Sequence, residues 1–459
     1  MGEKKIEKIK EWDKNYHIHT FANEKTYQPI VVDKTEGNYF FTSDGKKYLD
    51  FSSQLVCVNL GNSNEKIIAK VTDALKRYGF LWDKYATEYR SLASQKIIEE
   101  IPGVNRWAGK VKFFSSGSET IEAAVSLAKL IKNKTRLLIK EYDFHGWTSE
   151  ALKCTSIKYF GSLKDIGTNE IVELPSDDSY VTIPSPLCWR CKFGKCYPAC
   201  KENGVLHCIK ETEKIINEAG AGTIAAYLGE TVSGFGMVIP PEEYLPQLRN
   251  LLNKYDILWI NDEVQTGFGR LGKWFAYDLY DGIYPDIMCI GKGLVNSVIP
   301  CGAIVVSKEI AKTLESKIWY LGSTFSGHPA AMAAAVATIE YMIENEIVEK
   351  ACRKGEYLRS KMEKLAEKYQ PNIAVSGYGF YMQLELLQYK TDTRSINVNN
   401  AYSPAKAIMD GCYQRGLVLG GLLPYSIRLA PALTVTTEEI DQAVGVLDDV
   451  LKSIFEEGK

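Results

Sequence analysis

Residues 256–270 read DILWINDEVQTGFGR. The apolar run Ile257 to Ile260 stops at Asn261-Asp262-Glu263 and breaks into a glycine-containing segment. Short apolar runs without alternation are strands buried on both faces of a parallel sheet. Working outward, five more such runs fall between about Lys110 and Ser307: VKFF, RLLIK, TIAAYL, DIMCI and GAIVV. Helical patterns separate them. In SETIEAAVSLAKLIKNK, for example, Ile121, Ala124, Val125 and Ala128 share one face. This alternation predicts an α/β fold with a mainly parallel central sheet in a large domain. After Pro329 an alanine-rich helix leads into a smaller α+β region with the strand-like segments AVSGYGFYMQLEL and SIRLAPAL. The early segment GNYFFTSDGKKYLDF also reads as short strands, able to pack with that region. The expected division is residues 1–70 as a segment packing with the small domain, 71–328 as the large domain, and 329–459 as the small domain.

The chain has 459 residues and a net charge of −2, a balance that points away from nucleic acid and from anionic membranes. The opening MGEKKIEKIKEWDKN has no apolar stretch of the signal-peptide kind. No apolar run approaches the roughly 18 residues of a membrane span. Of the eleven cysteines, five lie between Cys188 and Cys208 and several others sit inside apolar segments. That pattern suits reduced thiols, and a cytoplasmic protein is expected.

In open α/β sheets ligands bind beyond the carboxyl ends of the strands. Asp262 stands at such an end, although an aspartate there is commonly a helix cap or a solvated carboxylate. A second buried strand, Ile287 to Ile290, ends at Gly291-Lys292-Gly293. Flanking glycines let a bulky group approach, and a desolvated lysine has the lowered pKa that Schiff-base chemistry needs. A third, Val111 to Phe114, turns through Ser115-Ser116-Gly117-Ser118 into a helix whose N-terminus is a phosphate seat, or an ordinary serine cap. The three ends together ask for a phosphate, an aldehyde and a basic ring nitrogen. Pyridoxal 5′-phosphate carries all three, and Asp262 beside the pyridine nitrogen would keep it protonated.

From about residue 35 onward the chain resembles the class III (ω-) aminotransferases of the fold type I pyridoxal-phosphate enzymes. The motifs SSGSET, FHGWT, INDEVQTGFGR, GKGL, STFSGHP and IRLAPAL occur in the family's order, and Asp262 and Lys292 are 30 positions apart, as in the family. The resemblance implies that Lys292 is the Schiff-base lysine and proton shuttle, and that Asp262 holds the ring nitrogen. It implies that Gln265 bonds the cofactor's phenolic oxygen, that Ser116, Gly117 and Ser118 bind phosphate, and that Phe144 stacks on the ring beside His145. Glu230 would wall the site. Thr324 would reach the phosphate from a neighbouring subunit, implying a homodimer with shared active sites. Arg428 would bind the substrate carboxylate, for which a fixed guanidinium suits bidentate pairing.

Departures from the family bear on the substrate. Phe235 occupies the place of a glutamate that masks the arginine in some members, which leaves Arg428 unshielded. Val56 occupies the place of an aromatic residue that narrows the pocket in many pyruvate users, which implies a wider pocket. Thr231 replaces a proline, Asn62 a histidine, and Ser376 the arginine of a glycine-rich turn. Cys188, Cys191, Cys196 and Cys200 have a spacing that by itself could hold zinc or an iron–sulfur cluster. A related loop recurs in one branch of the family, and a structural insertion over 186–208 without metal is expected. The resulting expectation is an aminotransferase moving the terminal amine of a small ω-amino acid (taurine, β-alanine or 4-aminobutyrate type) to 2-oxoglutarate or pyruvate. An aminomutase, racemase or ammonia-lyase of the same fold is the alternative. A non-catalytic binder would have no use for Lys292 and Asp262.

Overall fold

The computed structural model describes residues 2–20, 22–156, 177–195, 197–234, 238–387, 404–421 and 425–455. In chain order β1 (Val32–Glu36), β2 (Tyr39–Thr42) and β3 (Lys47–Asp50) come first, then β4 (Ala108–Phe114), β5 (Arg136–Lys140) and β6 (Tyr180–Ile183). A small hairpin, β7 (Lys201–Glu202) and β8 (Val205–Leu206), precedes β9 (Ile224–Gly229), β10 (Leu258–Asp262), β11 (Ile287–Ile290) and β12 (Gly302–Ser307). Last come β13 (Ile373–Tyr378), β14 (Tyr381–Leu386), β15 (Leu417–Val418) and β16 (Ser426–Leu429).

The six apolar runs all become strands of one seven-stranded sheet of order β4-β12-β11-β10-β9-β5-β6. Only β12 opposes its neighbours; the other pairings are parallel. The seventh strand, β6, is a partly exposed edge strand with no apolar run to announce it. Along the central strands successive side chains enter opposite cores, as the two-residue period requires. Trp259, Met288 and Ile290 pack on one face, and Ile260, Ile287 and Cys289 on the other. The Gly117–Lys132 helix covers the second face with Ile121, Ala124, Val125 and Ala128 buried, and Thr120, Ala123 and Leu127 widen the stripe.

Two smaller sheets flank this layer. In the order β1-β2-β3-β15, the parallel pair Leu49↔Leu417 joins the early strands to the C-terminal region. The other sheet, β13-β14-β16, is antiparallel and places Gln383 opposite Arg428. The Pro329–Glu344 helix starts with proline in its first turn and is buried almost all round, which its alanines permit.

The cysteine-rich insertion forms a single turn at Cys188–Arg190 and then the β7–β8 hairpin. Arg190 Nε donates to Glu385 Oε1 on β14 at 2.7 Å, and its guanidinium lies 4.1 Å from the centre of the Tyr425 ring. Cys200 is buried; Cys196 lies outside the described residues. Among the described residues no three His, Cys, Asp or Glu side chains are grouped to hold a metal, and no helix is long and apolar enough to cross a membrane.

Candidate active site

Parallel pairing brings the ends of β10 and β11 side by side, with Asp262 opposite Cys289. Lys292 follows two residues after β11, with φ of +39°. A lysine pays a steric cost there, so its surroundings must enforce the turn. Ser297 N–H donates to Lys292 O at 3.2 Å, and Leu294 N–H to Gly291 O at 2.8 Å. The next residue must be glycine, because a Cβ on Gly293 would sit 2.6 Å from Asn59 Nδ2 and 2.9 Å from Phe268 Cβ. The Lys292 side chain opens onto a cavity but is otherwise enclosed by protein, and this burial lowers its pKa. Asp262, Cys57 and Glu230 oppose that shift, and Arg428 adds to it.

Asp262 is buried and held on both oxygens. Its Oδ2 is 2.7 Å from His145 Nδ1, and its Oδ1 accepts from Val264 N–H at 3.0 Å. Ser116 caps the Gly117–Lys132 helix, accepting from Glu119 N–H at 3.2 Å, while Glu119 Oε2 takes Ser115 N–H at 2.7 Å. The first-turn amides of such a helix have no partner within it. Gly117 and Ser118 of that turn line the cavity, and a Cβ on Gly117 would come within 2.8 Å of Val264 Cγ1. Gly146 has φ of +135°, and a Cβ there would fall 2.1 Å from Ser118 Oγ. The glycine of FHGWT is what lets that segment lie against the helix start.

Glu230 follows β9 and accepts from Gly234 N–H at 2.8 Å and Phe144 N–H at 3.1 Å. Burial, with Asp143 and Asp262 nearby, holds its carboxyl well above the usual range. Behind it Lys140 is fully buried, 3.0 Å from Asp143 Oδ1, and donates to Glu230 O and Ser233 Oγ at 2.9 Å each. This anchor under the Glu230–Gly234 turn was not anticipated. Its one signal is a charged residue closing the apolar run RLLIK.

Ser116, Gly117, Ser118, Phe144, His145, Glu230, Asp262, Gln265 and Lys292 thus line one cavity of about 350 Å³. Val264 and Cys301, which sequence reasoning did not single out, line it too; burial pushes the Cys301 thiol up to about 12. Three candidates are not in that lining. Thr324 is exposed in a turn. Val56 is buried, with φ of +56°, in a cluster with Val232, Leu271, Ala276, Tyr381 and Ala430. Arg428 lies on β16, its Nη1 donating to Gly234 O at 3.1 Å and 3.5 Å from the Tyr381 hydroxyl. Phe235 lies outside the described residues.

The family model for class-III aminotransferases matches residues 20–451. The chain belongs to the class-III aminotransferases. Among solved structures, this aminotransferase superposes on an S-selective transaminase from Bacillus megaterium with a TM-score of 0.92, at 39% identity over 99% of each chain. The taurine:2-oxoglutarate aminotransferase from Bifidobacterium kashiwanohense, in complex with PLP and glutamate, gives a TM-score of 0.88 at 26% identity over 98% of each chain. A leucine/methionine racemase from Thermococcus litoralis is 30% identical over 95% of this chain and 94% of its own.

The family's cofactor is pyridoxal phosphate, and the residues present fit it. One cavity holds a lysine of lowered pKa, a carboxylate fixed on both oxygens, and a helix N-terminus cleared of side chain at Gly117. The buried Nε2 of His145 has no partner among the described residues.

Proposed function

We propose that this aminotransferase moves the terminal amino group of a small ω-amino acid, of the taurine, β-alanine or 4-aminobutyrate type, to 2-oxoglutarate or pyruvate. The observation that carries the reading is the single cavity in which Lys292, Asp262 and the start of the Gly117–Lys132 helix converge. When bound, the cofactor supplies an aldehyde for the donor amine and a ring that draws electrons from the donor carbon. Ser116, Gly117 and Ser118 would seat its phosphate, with Thr324 of the partner subunit reaching the same group. Phe144 would stack on the ring, Gln265 would bond the phenolic oxygen, and Glu230 would wall the site. Asp262, oriented by His145, would keep the ring nitrogen protonated. Lys292 Nζ, made more readily neutral by burial, would move a proton from the donor carbon to C4′ of the cofactor in the first half-reaction, and in the reverse direction, onto the oxo-acid carbon, in the second.

Arg428 would meet the carboxylate of the oxo acid and, in the other half-reaction, the far acidic end of a short donor. A shared-site homodimer is proposed on the exposed apolar side chains Trp82, Ile318, Tyr320 and Phe325, the last next to Thr324. The similarity to the taurine:2-oxoglutarate aminotransferase of Bifidobacterium kashiwanohense supports the substrate class. Racemisation is the second reading, supported by the Thermococcus relative; it would proceed without added oxo acid. A panel of taurine, β-alanine, 4-aminobutyrate, putrescine and 1-phenylethylamine against pyruvate and 2-oxoglutarate tests the first reading, and loss of optical activity from L-leucine or L-methionine with no oxo acid added tests the second. A preference for the neutral monoamine that survives Arg428→Ala would overturn the proposal.

A further inference from the structure

We infer that Tyr381 is a positioning residue that ties the cofactor-facing Gln265 and the carboxylate-binding Arg428 into one frame and so governs use of the oxo acid. The inference rests on the roles proposed above for Gln265 and Arg428. Tyr381 opens β14, directly after the turn from β13, and its side chain is fully buried. The ring packs in the cluster containing Val56 and Ala430, leaving the hydroxyl as the only group that must find polar partners.

That hydroxyl has three. It donates to Gly234 O. Gln265 Nε2 donates to it at 3.3 Å, and Arg428 Nη1 approaches to 3.5 Å. A phenol has one proton and two lone pairs, so this set uses its full capacity. Burial raises the pKa of Tyr381 against the opposing pull of Arg428, which keeps the proton in place for Gly234.

Gly234 closes the frame. Its carbonyl also accepts from Arg428 Nη1 at 3.1 Å, and its N–H donates to Glu230 at 2.8 Å. A Cβ on it would fall 2.1 Å from Gln265 Oε1, so only glycine lets the Gln265 amide rest there while Nε2 turns to Tyr381. Arg428 is held from one side at Nη1, while its buried Nε has no partner among the described residues. Without the Tyr381 hydroxyl, Gln265 Nε2 loses its acceptor and Arg428 keeps a single carbonyl to aim it.

The test is Tyr381→Phe in the full-length holoenzyme, with Arg428→Ala alongside. The expected result is an acceptor KM raised at least tenfold, with the KM of a donor lacking a carboxylate, such as putrescine, changed less than twofold. The absorbance maximum of the bound cofactor should also move, since Gln265 would have lost its orientation. Equal changes for donor and acceptor, or an unmoved spectrum, would assign the hydroxyl to stability alone and overturn the inference. Should Tyr381→Phe not fold, Tyr381→Met fills the space without a hydroxyl and is read the same way; loss of fold in both overturns the inference. If Arg428→Ala leaves the acceptor KM unchanged, the reading of Arg428 fails and the inference falls with it. If Arg428→Ala raises that KM and Tyr381→Phe does not, Tyr381 alone is misassigned.

Discussion

At the scale of single residues, Lys292 works at the expense of the fold. Its pKa is lowered by burial, so the folded state holds its proton less tightly than the unfolded chain. The penalty is complete once pH falls below the folded value and vanishes above the lysine's ordinary one. Lys292→Met should therefore abolish transamination while stabilising the cofactor-free protein by about 1 kcal/mol near neutral pH. Thermal unfolding at rising pH should show that gain shrinking. A cofactor-free variant less stable than wild type at pH 7 would contradict this. Gly146 makes the opposite prediction. With φ of +135° and Ser118 Oγ in the way, Gly146→Ala should cost roughly 1–3 kcal/mol and weaken cofactor retention on gel filtration. Lys292, Asp262 and Ser116 to Ser118 were legible in the sequence because each lies where an apolar run ends, so position and chemistry are announced within a few residues. Tyr381, Gly234 and Lys140 were not. A tyrosine or glycine carries no such mark, and Tyr381 meets Gly234 across 147 positions of chain.

At the scale of elements, the end of β10 is stitched to the chain beyond it by Glu263. Its carboxylate accepts from Asn261 Nδ2 at 2.9 Å, Ala276 N–H at 3.0 Å and Tyr277 N–H at 3.1 Å, and from the Thr266 hydroxyl. Burial nevertheless pushes its pKa up to about 7. A raised folded value means that its contribution is greatest below the ordinary 4.5 and declines as pH rises to about 7. Glu263→Gln should flatten that part of the stability profile, and melting curves from pH 4.5 to 8 would check it. Glu263→Ala, which strands several buried donors, should cost about 3 kcal/mol. The six buried strands were legible because lack of alternation is itself a signal, whereas β6 carries a mixed face typical of an edge. Val56 illustrates a different limit. The resemblance reads it as a small residue in the place of an aromatic one, whereas the left-handed backbone that sets it in the cluster with Tyr381 and Ala430 is not written in a valine.

At the scale of the whole molecule, Phe325 is half-exposed, with its ring 6.0 Å from that of the equally exposed Phe80. Phe325→Asp should shift sedimentation toward a monomer and weaken pyridoxal-phosphate binding at least tenfold, since Thr324 would no longer reach a second site. A monomer with undiminished affinity would count against the shared site. The contact between Arg190 and Glu385 has a mechanical consequence. Glu385 pairs with Ser426, two residues before Arg428, so the cysteine-rich insertion is geared to the strand that carries the arginine. Any displacement of that strand tugs the insertion, and slack in the insertion loosens the strand. Trypsin cutting at Lys192 or Lys195 should accordingly slow when 2-oxoglutarate is present, and Glu385→Gln should uncouple the two, leaving cleavage indifferent to the oxo acid.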